Sequence, residues 1–348
     1  MFVPSMERVV DGSELGSITL GHRLLDEYLE FVAARGAANT WLATAYDLKV
    51  FFEVVGKEPP EVTAADVFAF LGQQRTPRRG EKVVRIEDGE AGLAARTIAR
   101  RLSSVAGLFE YLLARGDAGV AGNPVPRGLA SRRPGRRGRG GVRLVRTPRT
   151  LPRVLSPVEV DALLGALRTH RDRAMVLAML LGGLRRCEVL GLRLCDVSVG
   201  QRRVHIARGK GGRERVVPVS ARFFGALGEY LELERPVEAV TDACFVVLKG
   251  PRRGLPLSAA GLDEVLGGAR VRAGLSRCTC HQLRHTCLTR LREQGMALEA
   301  VQAQAGHASI ESTRVYLHLA NDWLEHEYLA AAEAIDAQLD PLTRELAS

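Results

Sequence analysis

Residues 280–319 read CHQLRHTCLTRLREQGMALEAVQAQAGHASIESTRVYLHL. The pattern predicts helices over 281–294, 297–304 and 311–319. His281 and Arg284 are three apart and therefore neighbours on one helical face. Gly306-His307 follows the short amphipathic helix, and Tyr316 falls nine residues after His307, on or near the next one. Cations that can grip phosphate oxygens, and a phenol that can act as a nucleophile, are thus gathered in one short stretch.

Two earlier segments share this chemistry. In GGLRRCEVLGLRLCDV (182–197), Arg185 follows a Gly-Gly-Leu break after a wholly apolar helix, and Glu188 lies three residues on, placed to hold its guanidinium. A helix N-terminus beside a cation is a ready anion site; read alone, the pair is equally a surface ion pair. In RGKGGRERVVPV (208–219), Lys210 sits between glycines in a hairpin turn, where the backbone can approach a ligand and the ammonium can deliver a proton or a point charge. A Gly-Lys-Gly turn by itself is commonplace.

Further outward, 155 to the end reads as helices at 156–168, 170–182, 185–192, 221–233 and 258–273, with a hairpin of 203–206 and 214–219 and a short strand at 244–248. Ser156-Pro157-Val158-Glu159 is a good helix start. Residues 322–337 read as a closing helix. Ahead of this part, 20–34, 40–55, 63–71 and 95–114 have helical periodicity. The last carries the stripe Ile98, Leu102, Val105, Leu108 and Leu112, a basic opening (Arg96, Arg100, Arg101) and Gly116 as C-cap. Residues 76–92 read as a polar loop. The fold class expected is mainly α with a small antiparallel sheet.

Composition bounds the function. The chain has 348 residues, 46% of them hydrophobic, and a net charge of +9. Residues 127–153 hold ten arginines and no acid; without them the chain is close to neutral. Such a Gly- and Pro-rich basic block cannot bury a core, and a polyanion is its natural partner; the bland alternative is a solvated tether. The longest apolar run, Ala174–Leu184, falls short of the roughly 20 residues a bilayer span needs. The N-terminus has no secretory pattern. Six cysteines are too sparse for a disulfide scaffold, so free thiols in the cytoplasm are expected. Cys278, Cys280, His281 and Cys287 have the wrong spacing for zinc, and no Walker-type loop or two-metal carboxylate cluster is present. No cofactor is expected. Tyr230 and Tyr328, the rival phenols, follow no Gly-His and read as packing residues.

The ordered set Arg185, Lys210, His281-x-x-Arg284, Gly306-His307 and Tyr316, with the wording GLRRCEVL, GKGGRERVVPV, CHQLRHT and AGHASIESTRVY, resembles the tyrosine recombinase (phage integrase) family. Arg186, Cys187 and Ala305 depart from its common pattern. The resemblance implies a core-binding helical domain (20–120) after an N-terminal extension (1–19), an Arg-rich linker (121–154), and a mixed α/β catalytic domain (155–348), closing as a C-shaped clamp on duplex DNA. It implies that Tyr316 attacks the scissile phosphate to form a 3′-phosphotyrosyl link and that Arg185, Arg284 and His307 stabilise the transition state. Lys210 would protonate the leaving oxygen, His281 would accept or orient the tyrosine proton, and Glu188 would support from behind. Arg96, Arg100 and Arg101, with Arg132, Arg133, Arg136, Arg137 and Arg139, are the expected DNA contacts. The tail 321–339 would dock on a neighbouring protomer, giving a dimer per site and a tetrameric synapse near the nucleoid. The expected role is a site-specific recombinase, integrase or tyrosine-type transposase of a mobile element. The alternatives are a type IB topoisomerase-like enzyme and a non-catalytic DNA-binding regulator on the same fold.

Overall fold

The computed structural model describes residues 2–11, 14–36, 38–76, 92–126, 144–145, 153–207 and 214–306. The chain divides into two compact units, Met1–Arg149 and Thr150–Ser348. Nearly all of the expected 76–92 loop, most of the 121–154 linker, and the helices expected at 311–319 and 322–337 lie outside the described residues. No described helix is long and apolar enough to cross a membrane.

The first unit opens with an antiparallel hairpin, β1 (Glu7–Asp11) and β2 (Glu14–Thr19). This hairpin lies in the expected N-terminal extension, 1–19. The hairpin is held because Ile18, at its end, and Leu20, just beyond it, are buried in the unit's core. Four helices follow: α1 (Arg23–Arg35), α2 (Ala38–Val55), α3 (Ala64–Arg75) and α4 (Ala95–Arg115). All five residues of the α4 stripe are buried, each contributing about 1.5–3 kcal/mol relative to exposure. Gly116 stops α4 at φ +79°, where its N–H reaches the Leu112 carbonyl.

The second unit contains α5 (Pro157–Gly165), α6 (His170–Gly182), α7 (Arg186–Leu190), β3 (Val197–Ser198), β4 (Arg203–Ile206), β5 (Arg215–Pro218), α8 (Ala221–Leu233), α9 (Ala259–Arg272), α10 (Cys280–Glu293) and α11 (Leu298–Ala305). Three strands pair antiparallel in the order β3-β4-β5. Ser156 and Glu159 cap α5 reciprocally: the Ser156 hydroxyl accepts from the Glu159 N–H and the Glu159 carboxylate from the Ser156 N–H. Apolar on nearly every side, α6 is buried and packs against α8 and α10.

The strand expected at 244–248 does not form a ladder; only the isolated bridges Arg193–Ala243 and Val246–Pro256 are present nearby. Its backbone is satisfied in other ways. Arg235 donates to the Ala243 and Cys244 carbonyls, Arg171 donates to Val246 O, and the Tyr230 hydroxyl accepts from Val246 N–H. Backbone bonds add to these: Cys244 N–H donates to Leu192 O, Val247 N–H to Leu255 O, and the Gly254 and Leu257 N–H groups to the Val247 and Phe245 carbonyls, so the segment pairs irregularly with 254–257.

Candidate active site

Three elements of the second unit, α7, β5 and α10, converge on one carboxylate. The chain leaves α6 through Gly183, which is left-handed at φ +67°, and turns at once into Arg185, the N-cap of α7. Glu188, in the first turn of α7, has a fully buried side chain. Its oxygens accept from the Arg185 N–H at 2.8 Å and from Arg185 Nη1 at 2.7 Å. Arg215, on β5, grips the same carboxylate with both terminal nitrogens, at 2.9 and 2.8 Å. Arg284, on α10 and only 2% exposed, brings Nη1 to 4.0 Å.

The same guanidinia hold the end of α11. Arg185 Nη2 donates to Gly306 O at 3.2 Å. Arg284 donates to Gly183 O and to Ala305 O. Gln304 Nε2 donates to Gly182 O at 2.9 Å and Pro218 O at 3.1 Å. The C-terminus of α11 is a natural place for cations, since its last carbonyls point outward unsatisfied. Gly306, at φ +59°, ends the helix directly before His307.

Among the described residues, three guanidinia surround one carboxylate. Burial pushes the Glu188 carboxyl up, but the hydrogen bonds of Arg215 and of the Arg185 N–H, with the field of the guanidinium, outweigh it and bring it down to about 2. The carboxylate is therefore ionised at any working pH and cannot act as a proton donor. Guanidinia gathered in a low-dielectric setting attract an anion, and their paired donors suit the oxygens of a phosphate. The anion site expected at the N-terminus of α7 is corrected in one respect: α7 has five residues, so the charge comes from the side chains and not from a helix dipole.

His281 stands exposed in the first turn of α10, with its Nε2 2.7 Å from Nε2 of His285. One ring donates and the other accepts. The structure therefore brings Arg185, Glu188 and Arg284 together and places His281 one turn before Arg284. Lys210, His307, Tyr316 and Tyr328 lie outside the described residues. Tyr230 is fully buried. Sequence reasoning passed over Arg215 in RERVVPV. The available signal was strand alternation, which puts Arg215 on the inward side with Val217.

Burial pushes the thiols of Cys278 up to about 11 and of Cys280 and Cys287 up to about 12, so they rest protonated. Among the described residues no three or more His, Cys, Asp or Glu side chains are grouped to hold a metal ion.

In the first unit, Arg96 and Arg100 are exposed on α4. Arg100 pairs with the buried Asp47 of α2, which also accepts from Ser104 Oγ at 2.9 Å. Arg101 is mostly enclosed, with Gln74 as hydrogen-bond partner and Asp47 at 3.8 Å. All three were expected at the DNA. Asp47 takes up part of that charge within the unit.

The arrangement is one that could take up the oxygens of a phosphate. The phage integrase family model matches residues 153–322. Tyrosine recombinase XerC of Roseiflexus castenholzii is 32% identical over 298 residues, covering 81% of this chain and 84% of that protein. Tyrosine recombinase XerD of Listeria monocytogenes is 28% identical over 323 residues, covering 88% and 97%. The Tn1549 transposon integrase, solved in complex with transposon right-end DNA, has the same fold at a TM-score of 0.65 and 19% identity, over 89% of this chain and 99% of that one. The chain belongs to the tyrosine recombinase family and is an enzyme that cuts and rejoins DNA.

Proposed function

We propose that this recombinase exchanges strands at a specific duplex site, in the manner of a Xer-type recombinase or of the integrase of a mobile element. The observation that carries the reading is the buried cluster of three arginines around Glu188, tied to the backbone that runs into His307. In this reading the Tyr316 oxygen attacks the scissile phosphorus. The phosphorus–oxygen bond to the 5′ carbon breaks, leaving a 3′-phosphotyrosyl link and a 5′-hydroxyl. A free phenol has a pKa of about 10, so its proton must be drawn off as the bond forms, a task for His281. Arg185, Arg284 and His307 hold the non-bridging oxygens, and Lys210 returns a proton to the leaving oxygen. The phosphodiester energy stays in the covalent link, and a 5′-hydroxyl reverses the step without a nucleotide.

The protein works in the cytoplasm on nucleoid DNA, as a dimer on each site and a tetramer when two sites are joined through the tail 321–339. Arg96 and Arg100 face the DNA backbone, while Arg101 serves the packing of its own unit. The test is a plasmid carrying two copies of the DNA that flanks the gene. Recombinant circles support the reading. Relaxation of a plasmid lacking those sites, without exchange, would point to a topoisomerase; binding with no broken strand would point to a regulator.

Two predictions arise here. Lys210→Ala is expected to cleave ordinary DNA at least about 100-fold more slowly than wild type but a 5′-bridging phosphorothiolate nearly as fast, because a thiolate leaves without a proton. Single-turnover cleavage of both substrates checks this; an undiminished defect on the sulfur substrate makes the lysine a charge clamp instead. Replacing Arg132, Arg133, Arg136, Arg137 and Arg139 with glutamine is expected to weaken specific and random duplexes alike. The slope of log K against log salt should flatten by up to about four, since each phosphate contact contributes about −0.9. Site preference should persist. Parallel slopes in a salt titration would make the segment a tether that touches no phosphate.

A further inference from the structure

We infer that Arg215 is a positioning residue for strand cleavage: by gripping Glu188 with both terminal nitrogens and lying flat against Gly306, it sets the place of Arg185 and of the chain that leads into His307. The inference rests on the function proposed above. Glu188 takes two hydrogen bonds from Arg185 and two from Arg215. Without Arg215, the carboxylate keeps only Arg185 at hydrogen-bond distance, and nothing on the β5 side fixes its plane. The opposite side of the contact is equally close. A Cβ on Gly306 would lie 2.9 Å from Arg215 Cζ and Nη1 and 3.0 Å from Nε, so the glycine backbone rests on the guanidinium face. One side chain therefore touches the support of Arg185 and the last residue before His307.

Stability alone is a weak account of this arrangement. Arg215 is mostly buried, and its Nε–H has no hydrogen-bond partner among the described residues. Apolar side chains of similar volume often replace buried ion pairs at no loss of stability. What an apolar residue could not supply is two fixed N–H donors on Glu188 and a flat cation beneath Gly306. Lysine could not supply them either, since its ammonium is a point charge that spans one oxygen at a time.

The test uses the full-length protein and a suicide duplex that traps the covalent adduct, with DNA affinity and thermal unfolding measured in parallel. Arg215→Gln is expected to fold and to bind DNA within about threefold of wild type, yet to cleave about 100-fold more slowly at saturating protein, the size of effect that a misplacement near 1 Å produces. Arg215→Lys should recover only part of that loss. The combination of Arg215→Gln with Glu188→Gln should be no slower than the worse single variant, because the two act as one unit; a purely structural role predicts losses that multiply. Should the glutamine variant fail to fold, Arg215→Lys carries the test, with cleavage about tenfold slower at unchanged affinity. Cleavage by Arg215→Lys or Arg215→Gln within twofold of wild type overturns the inference and leaves the proposed function standing. Absence of adduct with the wild-type protein would count against that function itself.

Discussion

Arg284→Ala is expected to lose strand cleavage by at least about 1,000-fold while DNA affinity falls far less. Removing one preorganised donor from a developing phosphoryl charge typically costs about 100- to 1,000-fold. Arg284 is more than such a donor. It sits within the core at 2% exposure and donates to the carbonyls of Gly183, the C-cap of α6, and Ala305, the last residue of α11. Deleting it leaves both carbonyls without that donor, at about 1–3 kcal/mol each, and frees the turn before His307. The loss should therefore be shared between chemistry and stability, with a lower unfolding temperature accompanying the kinetic defect. Binding draws on many backbone contacts and only one lies here. Single-turnover cleavage, duplex affinity and thermal unfolding of the same preparation separate the terms. A several-hundred-fold loss of affinity, with cleavage of the bound fraction intact, would reverse the assignment.

Glu188→Gln is expected to destabilise the second unit by about 3–5 kcal/mol at pH 7, because it removes a buried anion that three guanidinia surround. The effect has a definite pH dependence. In the unfolded chain the carboxyl titrates near 4.5, and in the folded protein near 2. A folded value below the unfolded one means that the ionised form is the one folding favours. Its contribution of about 3 kcal/mol is fully present above pH 4.5 and disappears as the pH falls towards 2. Glutamine does not titrate, so the gap between wild type and variant should shrink by about 2 kcal/mol between pH 7 and pH 3. Urea unfolding at both values measures it, the other carboxyls being common to the two proteins. An equal gap at both pH values would mean that Glu188 is not held by the arginines as described.

Much of this architecture is legible from periodicity and capping. The helix expected at 221–233 is α8, Ala221–Leu233, and the stripe read in 95–114 is buried to the last residue in α4. These segments are long, and burial on one face repeats the same signal several times. The hairpin of β1 and β2 escaped because its hold on the core rests on Ile18 and the following Leu20, while Val9 is 59% exposed. The stretch 244–248 reads as a strand because its composition suits one; it pairs irregularly through backbone bonds with Leu192 and 254–257, and Arg171, Tyr230 and Arg235 add side-chain bonds. In the site, Arg185, Glu188, His281 and Arg284 could be picked out by their local wording, and the family resemblance ordered them. Arg215 stands out less: strand alternation gives its inward side, but only the fold ties this one arginine among many to Glu188. The same holds for Asp47, whose pairing with Arg100 spans 53 residues.

The central claim is that Tyr316 becomes covalently joined to DNA at the arginine cluster. The most direct measurement is to trap the protein on a suicide duplex of its own flanking site, digest the adduct with protease and nuclease, and map the nucleotide-bearing peptide by mass. The account predicts a 3′-phosphonucleotide on Tyr316, present in wild type and absent in Tyr316→Phe. An adduct on any other residue, or one that persists in Tyr316→Phe, would contradict it.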